Sequence, residues 1–146
     1  MIYFYISLLA LSQLTSGNSF KDCGSSKGSV ISMAVIPCDS EPCSLYRGKN
    51  STISIDFKTL SNVTKANAVV HGIIAGLPIP FTLPNPNVCD FVSPSCPLKS
   101  TEGKYTYKYA MLTSNEYPPI RVTIKWELSD EEGNDLVCVE FPIQII

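Results

Sequence analysis

Hydrophobic residues recur at every second position through most of this chain. Ile53, Ile55 and Phe57 alternate with Thr52, Ser54 and Asp56, and Ile120, Val122, Ile124, Trp126 and Leu128 alternate with Arg121, Thr123, Lys125 and Glu127. A period of two belongs to a strand with one face in a core and the other in water. Val137, Val139, Phe141, Ile143 and Ile145 form a third such face, and Tyr105, Tyr107, Tyr109 and Met111 a fourth. Shorter runs at 30–36 and 68–74 complete the pattern. Turn residues separate six or seven strands and no 3.6-residue period predicts a helix, so the expected fold is all-β. An antiparallel sandwich of immunoglobulin-like architecture is the default at this size. The charged stretch SDEEGND at 129–135 reads as a solvated hairpin turn between two strands.

Two stretches break the alternation. Residues 76–89, GLPIPFTLPNPNVC, set Leu77, Ile79, Phe81, Leu83 and Val88 among Pro78, Pro80, Pro84 and Pro86. Proline has no N–H to give a sheet, so this segment is expected to be an apolar rim beside the sandwich, an edge that pairs little. Residues 1–17, MIYFYISLLALSQLTSG, are an uncharged apolar run too short to span a bilayer comfortably and ending in small polar residues. They read as a signal peptide, which leaves 18–146 as one domain on the secretory route.

The cysteines agree with that route. All six fall after the leader, an even number that points to three disulfides, although six cysteines leave many pairings open. Cys38 with Cys43 and Cys89 with Cys96 are near neighbours at Pro- and Ser-rich bends, where loop closure costs least, and Cys23 and Cys138 then remain to join the ends of the domain. No CxxC pair argues for zinc. Asn50-Ser51-Thr52 and Asn62-Val63-Thr64 are glycosylation sequons.

Charge and chemistry narrow the function further. The net charge of -2 with scattered Lys and Arg gives no basic stripe for nucleic acid. Gly24-Ser25-Ser26-Lys27-Gly28 matches G-x-S-x-G, and Asp56 and His71 follow in the order of an α/β-hydrolase triad. The pentapeptide lacks the required strand-to-helix turn, and the single histidine lies inside an apolar strand, AVVHGII, so no enzyme is expected. There is no phosphate-binding glycine loop and no spaced metal-ligand set, so no cofactor or metal is expected either. Large inward residues, among them Phe57, Tyr105, Tyr107, Trp126 and Phe141, suit a filled core or sheets splayed around a ligand. Periodicity does not distinguish the two.

A resemblance does. FKDCGS at 20–25, the PC pairs at Cys38 and Cys43, VVHGIIAGLPIPF at 69–81, SNEYPPI at 114–120 and WELSD with CVEFPIQI near the end together resemble the small soluble Niemann-Pick type C sterol-binding proteins. These belong to the ML-domain lipid-recognition superfamily, which also includes the group 2 mite allergens. The resemblance covers the whole of 18–146 and implies an immunoglobulin-like sandwich with a lipid tunnel between its sheets. It also implies the pairs Cys23–Cys138, Cys38–Cys43 and Cys89–Cys96. Matched position by position, it implies a tunnel lined by Val35, Leu45, Val70, Ile79, Phe81, Thr113, Tyr117, Pro118, Ile120, Val122 and Ile124, with Phe81 and Tyr117 at the mouth. Thr113 departs from the valine that sterol-binding members carry, and an unpaired hydroxyl facing an apolar ligand costs affinity. Beside the mouth, His71, Gly72, Ile73, Ala75, Gly76 and Leu77 are the implied docking surface. The function implied is that of a monomeric, secreted or lysosomal carrier. It would bind sterol and pass it to a membrane or membrane-protein acceptor, with fatty acids, semiochemicals or microbial lipids as the alternative cargo.

Overall fold

A computed structural model describes residues 17–146; the signal-peptide reading of residues 1–17 falls, except for Gly17, outside them. Among the described residues, the chain forms β1 (Lys21–Asp22), β2 (Gly28–Ile36), β3 (Cys43–Leu45), β4 (Asn50–Thr59), β5 (Ala66–Ile74), β6 (Leu77–Phe81), β7 (Val92–Ser93), β8 (Tyr105–Leu112), β9 (Arg121–Asp130) and β10 (Asp135–Ile145). A single 3-10 turn, Val88–Asp90, interrupts them. One sheet has the order β1-β10-β9-β5-β6 with β3 added on β10; the other runs β2-β4-β8-β7. Every pairing is antiparallel except that of β3 with β10. This is the sandwich the alternation predicts, with more strands than it could count. β1, β3 and β7 span only two or three residues, too few to show a period.

β6 corrects an expectation. The proline-rich rim pairs along its length, Val70 with Phe81, His71 with Pro80, Gly72 with Ile79, Ile73 with Pro78 and Ile74 with Leu77. Pro78 and Pro80 sit two residues apart on a strand at the sheet's edge, so both missing N–H groups fall on the side facing away from β5. The same two rings keep a foreign strand from adding there. Between β5 and β6, Ala75 (φ 51) and Gly76 (φ 78) both take the left-handed backbone of a tight type I′ hairpin.

The interior between the sheets is not uniform. Around β4, β8 and β9 it is packed with rings: Phe57, Tyr105, Tyr107 and Trp126 are fully or almost fully buried. Trp126 lies 6.1 Å from Tyr107 and 5.8 Å from Tyr109 between ring centroids, Phe57 5.8 Å from Tyr105, and Phe91 4.7 Å from Tyr109. Contacts of this kind each contribute about 1 kcal/mol beyond burial. The large inward aromatics therefore fill a core. Three disulfides close it, Cys23–Cys138, Cys38–Cys43 and Cys89–Cys96. The first spans 115 residues of sequence; on the chain-entropy model such a loop contributes about 4 to 5 kcal/mol, and each short loop about 2. Gly28 permits a close backbone approach, since an added Cβ would collide with the Leu136 carbonyl oxygen.

Candidate binding cavity

Toward the other end the same strands separate around an apolar cavity of about 340 Å³, within the usual range of ligand pockets. Three of the strands that wall it, β8, β9 and β10, also carry buried rings, Tyr105, Tyr107, Tyr109, Trp126 and Phe141. β5 contributes Val70, Gly72 and Ile74; β6 contributes Ile79, Pro80 and Phe81; β8 contributes Met111 and Leu112. Val122 and Ile124 of β9, Ile143 and Ile145 of β10, and Leu45 of β3 close the remaining wall. The loop after β8 adds Thr113, Tyr117, Pro118 and Ile120. Gly72 leaves room because a Cβ there would stand 3.3 Å from Val122 Cγ1.

Ten of the eleven lining residues named from the sequence surround this cavity: Leu45, Val70, Ile79, Phe81, Thr113, Tyr117, Pro118, Ile120, Val122 and Ile124. Val35 does not. It is buried in β2 opposite Ile53, part of the packed core rather than the wall. Ile74, Pro80, Met111, Leu112, Ile143 and Ile145 line the cavity without having been named, as does Gly72, which was read as a docking residue. Met111, Ile143 and Ile145 continue alternations already visible, so their inward direction was legible; that they face empty space was not.

Two aromatic rings of the wall are in contact. Phe81 and Tyr117 meet edge to face at 6.2 Å between ring centroids. Of the lining residues, Leu112 and Ile79 are 59% and 48% exposed, and Leu77, two residues before Ile79 on β6, is 67% exposed. Large hydrophobic side chains clustered in water at a cavity rim mark a contact surface. The implied docking residues divide. Ala75, Gly76 and Leu77 form the exposed hairpin tip, while His71 and Ile73 alternate with Gly72 and so lie on the outer face, opposite Lys125 and Thr123 of β9. His71 Nδ1 is buried with no hydrogen-bond partner.

Within the wall the side-chain polar atoms are few. Thr113 is 2% exposed, and its Oγ1 has no hydrogen-bond partner. Its backbone is fixed, the N–H donating to Lys49 O at 3.0 Å and the carbonyl accepting from Gly48 N at 2.7 Å. No charged group lines the cavity among the described residues.

In the serine motif the nucleophile position, Ser26, is exposed, and its neighbour Ser25 is the serine tied into the scaffold. Ser25 Oγ donates to Asp22 Oδ1 at 3.1 Å and accepts from Cys138 N at 3.0 Å. The backbone N–H of Gly24, with further bonds from Ser25, holds the Asp22 carboxyl below its ordinary range. Asp56 lies on β4 in the second sheet, where Thr106 Oγ1 donates to it at 2.7 Å and Ser32 Oγ at 3.3 Å. His71 lies in the first sheet. A serine loop, an acid and a histidine so placed do not make the consecutive hydrogen-bonded chain that a triad requires.

One further cluster holds Glu127, Asp135 and Cys138, with ligand atoms within 4.8 Å of one another. Cys138 is bonded to Cys23, so its sulfur is not a thiolate ligand. Burial, reinforced by Glu127, pushes the Asp135 carboxyl up to about 6. Asn50 and Asn62 both stand exposed.

Comparison with known proteins agrees with this architecture. The ML domain family model matches residues 17–145. The chain is 37% identical over 127 residues to NPC intracellular cholesterol transporter 2 of Danio rerio, covering 87% of this chain and 84% of that protein. It is also 37% identical over 145 residues to NPC intracellular cholesterol transporter 2 homolog a of Drosophila melanogaster, covering 98% and 97%. The crystal structure of a Niemann-Pick type C2 protein from Japanese carpenter ant superposes with a TM-score of 0.80 at 30% identity, over 88% of this chain and 100% of that one. Chicken MD-1 complexed with lipid IVa shares the fold, with a TM-score of 0.57 at 18% identity over 84% and 85% of the two chains.

Proposed function

We propose, from the premise that this chain belongs to the ML domain family, that it is a reversible carrier of sterol or another apolar lipid. The observation that carries the reading is the cavity: about 340 Å³ of space between two sheets, walled by hydrocarbon and opening beside exposed apolar residues. Similarity to proteins named as cholesterol transporters makes sterol the first candidate cargo. A ligand of about 28 heavy atoms at roughly 0.3 kcal/mol per atom gains on the order of 8 kcal/mol, which is micromolar binding. Affinity of that order allows both loading and release. The cargo is held by area removed from water, about 25 cal/mol per Å², so the site needs no reacting group.

Leu45, Val70, Ile79, Phe81, Thr113, Tyr117, Pro118, Ile120, Val122 and Ile124 are the proposed lipid contacts. The hairpin tip Ala75-Gly76-Leu77, with His71 and Ile73 behind it, is the proposed docking surface for a membrane or membrane-protein acceptor. Its exposed Leu77, two residues before the exposed cavity residue Ile79, supports that role. Three disulfides suit an oxidising compartment, and we place the protein in the secretory route, extracellular or lysosomal, as a monomer. Asn50 and Asn62 are accessible for glycosylation. Fatty acids, semiochemicals or microbial lipids are the second reading, since the buried Thr113 hydroxyl in a mostly apolar wall is not particular to sterol. Mass spectrometry of lipid extracted from native-source protein tests the choice: sterol is the expected species, and fatty acid or volatile ligand without sterol would replace the first reading by the second.

A further inference from the structure

We propose that Thr113 is a specificity-determining residue, whose buried hydroxyl selects lipids that bring an oxygen to it over pure hydrocarbons. The inference deepens the lipid-carrier reading and rests on it. Thr113 is 2% exposed and lines the cavity, yet among the described residues its Oγ1 has no partner. A buried hydroxyl without a hydrogen bond is costly, and native proteins leave few of them. The neighbouring backbone does not use it, because the Thr113 N–H and carbonyl are already engaged with Lys49 and Gly48. A lodged water is a poor substitute. It needs two to four polar partners, and Tyr117 is the one other lining side chain among the described residues with an oxygen or nitrogen.

A ligand hydroxyl, carbonyl or carboxyl oxygen reaching Thr113 would satisfy the group. A hydrocarbon filling the same space would seal it off unpaired. Discrimination therefore comes mainly from penalising the wrong ligand, the asymmetry by which buried polar groups reject analogues that lack their partner. The hydroxyl can donate or accept, so it favours oxygen in general rather than one functional group.

The test is displacement of a fluorescent apolar probe, N-phenyl-1-naphthylamine, from delipidated mature protein by two matched pairs: oleyl alcohol against octadecene, and cholesterol against cholestene. The ratio of affinities within each pair is compared among wild type, Thr113→Val and Thr113→Ser. Valine keeps the shape and removes the hydroxyl; serine keeps the hydroxyl. The expected result is that the preference for the oxygen-bearing member of at least one pair falls about five- to tenfold in Thr113→Val and is retained in Thr113→Ser. Ratios that stay within about twofold in Thr113→Val for both pairs overturn the selectivity while leaving lipid carriage intact. Failure of every lipid to displace the probe from wild type overturns both readings.

Discussion

The two ends of the sandwich are built from the same strands and have opposite interiors. On β9, Trp126 is sealed among tyrosines, whereas Val122 and Ile124, four and two residues before it, border open space. β8 runs from Tyr105, Tyr107 and Tyr109 in the packed end to Met111 at the cavity, and β10 from Phe141 to Ile143 and Ile145. In the first sheet, antiparallel pairing sets Val122 opposite Ile143 and Gly72 opposite Ile124, so these cavity-lining positions of β5, β9 and β10 lie together. Rings fill the space between sheets about 10 Å apart; branched aliphatics and Gly72 do not. The difference assigns stability to one end and carriage to the other.

Substitutions that exchange the two characters should separate those roles. The largest effect belongs to Trp126→Ala, which opens a void among packed rings and should destabilise the fold by about 3 to 5 kcal/mol in urea unfolding. A variant as stable as wild type would mean that the rings are not the structural core. The opposite change, Val122→Phe, puts a ring into the hollow end. Lipid affinity should fall at least tenfold, while the midpoint of unfolding holds or rises because a void is filled. Overpacking a filled core instead costs about 1 to 3 kcal/mol, and a drop of that size would show that the cavity collapses in solution.

Phe81→Ala acts at the proposed mouth, where the ring meets Tyr117. Sterol affinity should fall about tenfold from lost apolar contact, more than Thr113→Val changes it. Equal binding of a fluorescent sterol by wild type and Phe81→Ala would remove the mouth from this position. The smallest effect is electrostatic and lies near the β9–β10 turn, away from the mouth. The Asp135 carboxyl stands at about 6 in the fold against an ordinary 3.8. A raised carboxylate contributes stability that is complete below 3.8 and lost as pH rises through 6. After allowance for solvent screening at this partly exposed site, the gain on acidification is about 1 kcal/mol. Asp135→Asn should flatten that pH dependence of the melting temperature without altering lipid affinity; an unchanged slope would mean that another group is responsible.

Much of this was legible in the sequence, for unequal reasons. Alternation in β4, β8, β9 and β10 depends only on a two-residue period, so it identified these strands and their inward faces. β6 was read as a poorly paired rim because proline's missing N–H matters only on the paired side, and the sequence does not show which side that is. Val35 was assigned to the wall from family resemblance, yet its partner Ile53 places it in the core. The hollow itself was illegible to periodicity. Tyr107 and Val122 obey the same inward rule, and only their surroundings in three dimensions decide that the first is enclosed by protein and the second borders the cavity.

The most direct test of this division is photo-crosslinking of a diazirine-bearing sterol to the delipidated protein, with the labelled residues located by peptide mass spectrometry. The account predicts saturable labelling, competed by unlabelled sterol, at Ile79, Phe81, Ile120, Val122, Ile143 and Ile145, with none at Tyr105, Tyr107 or Trp126. Label on the aromatic end, or label spread over the surface and insensitive to competition, would contradict it.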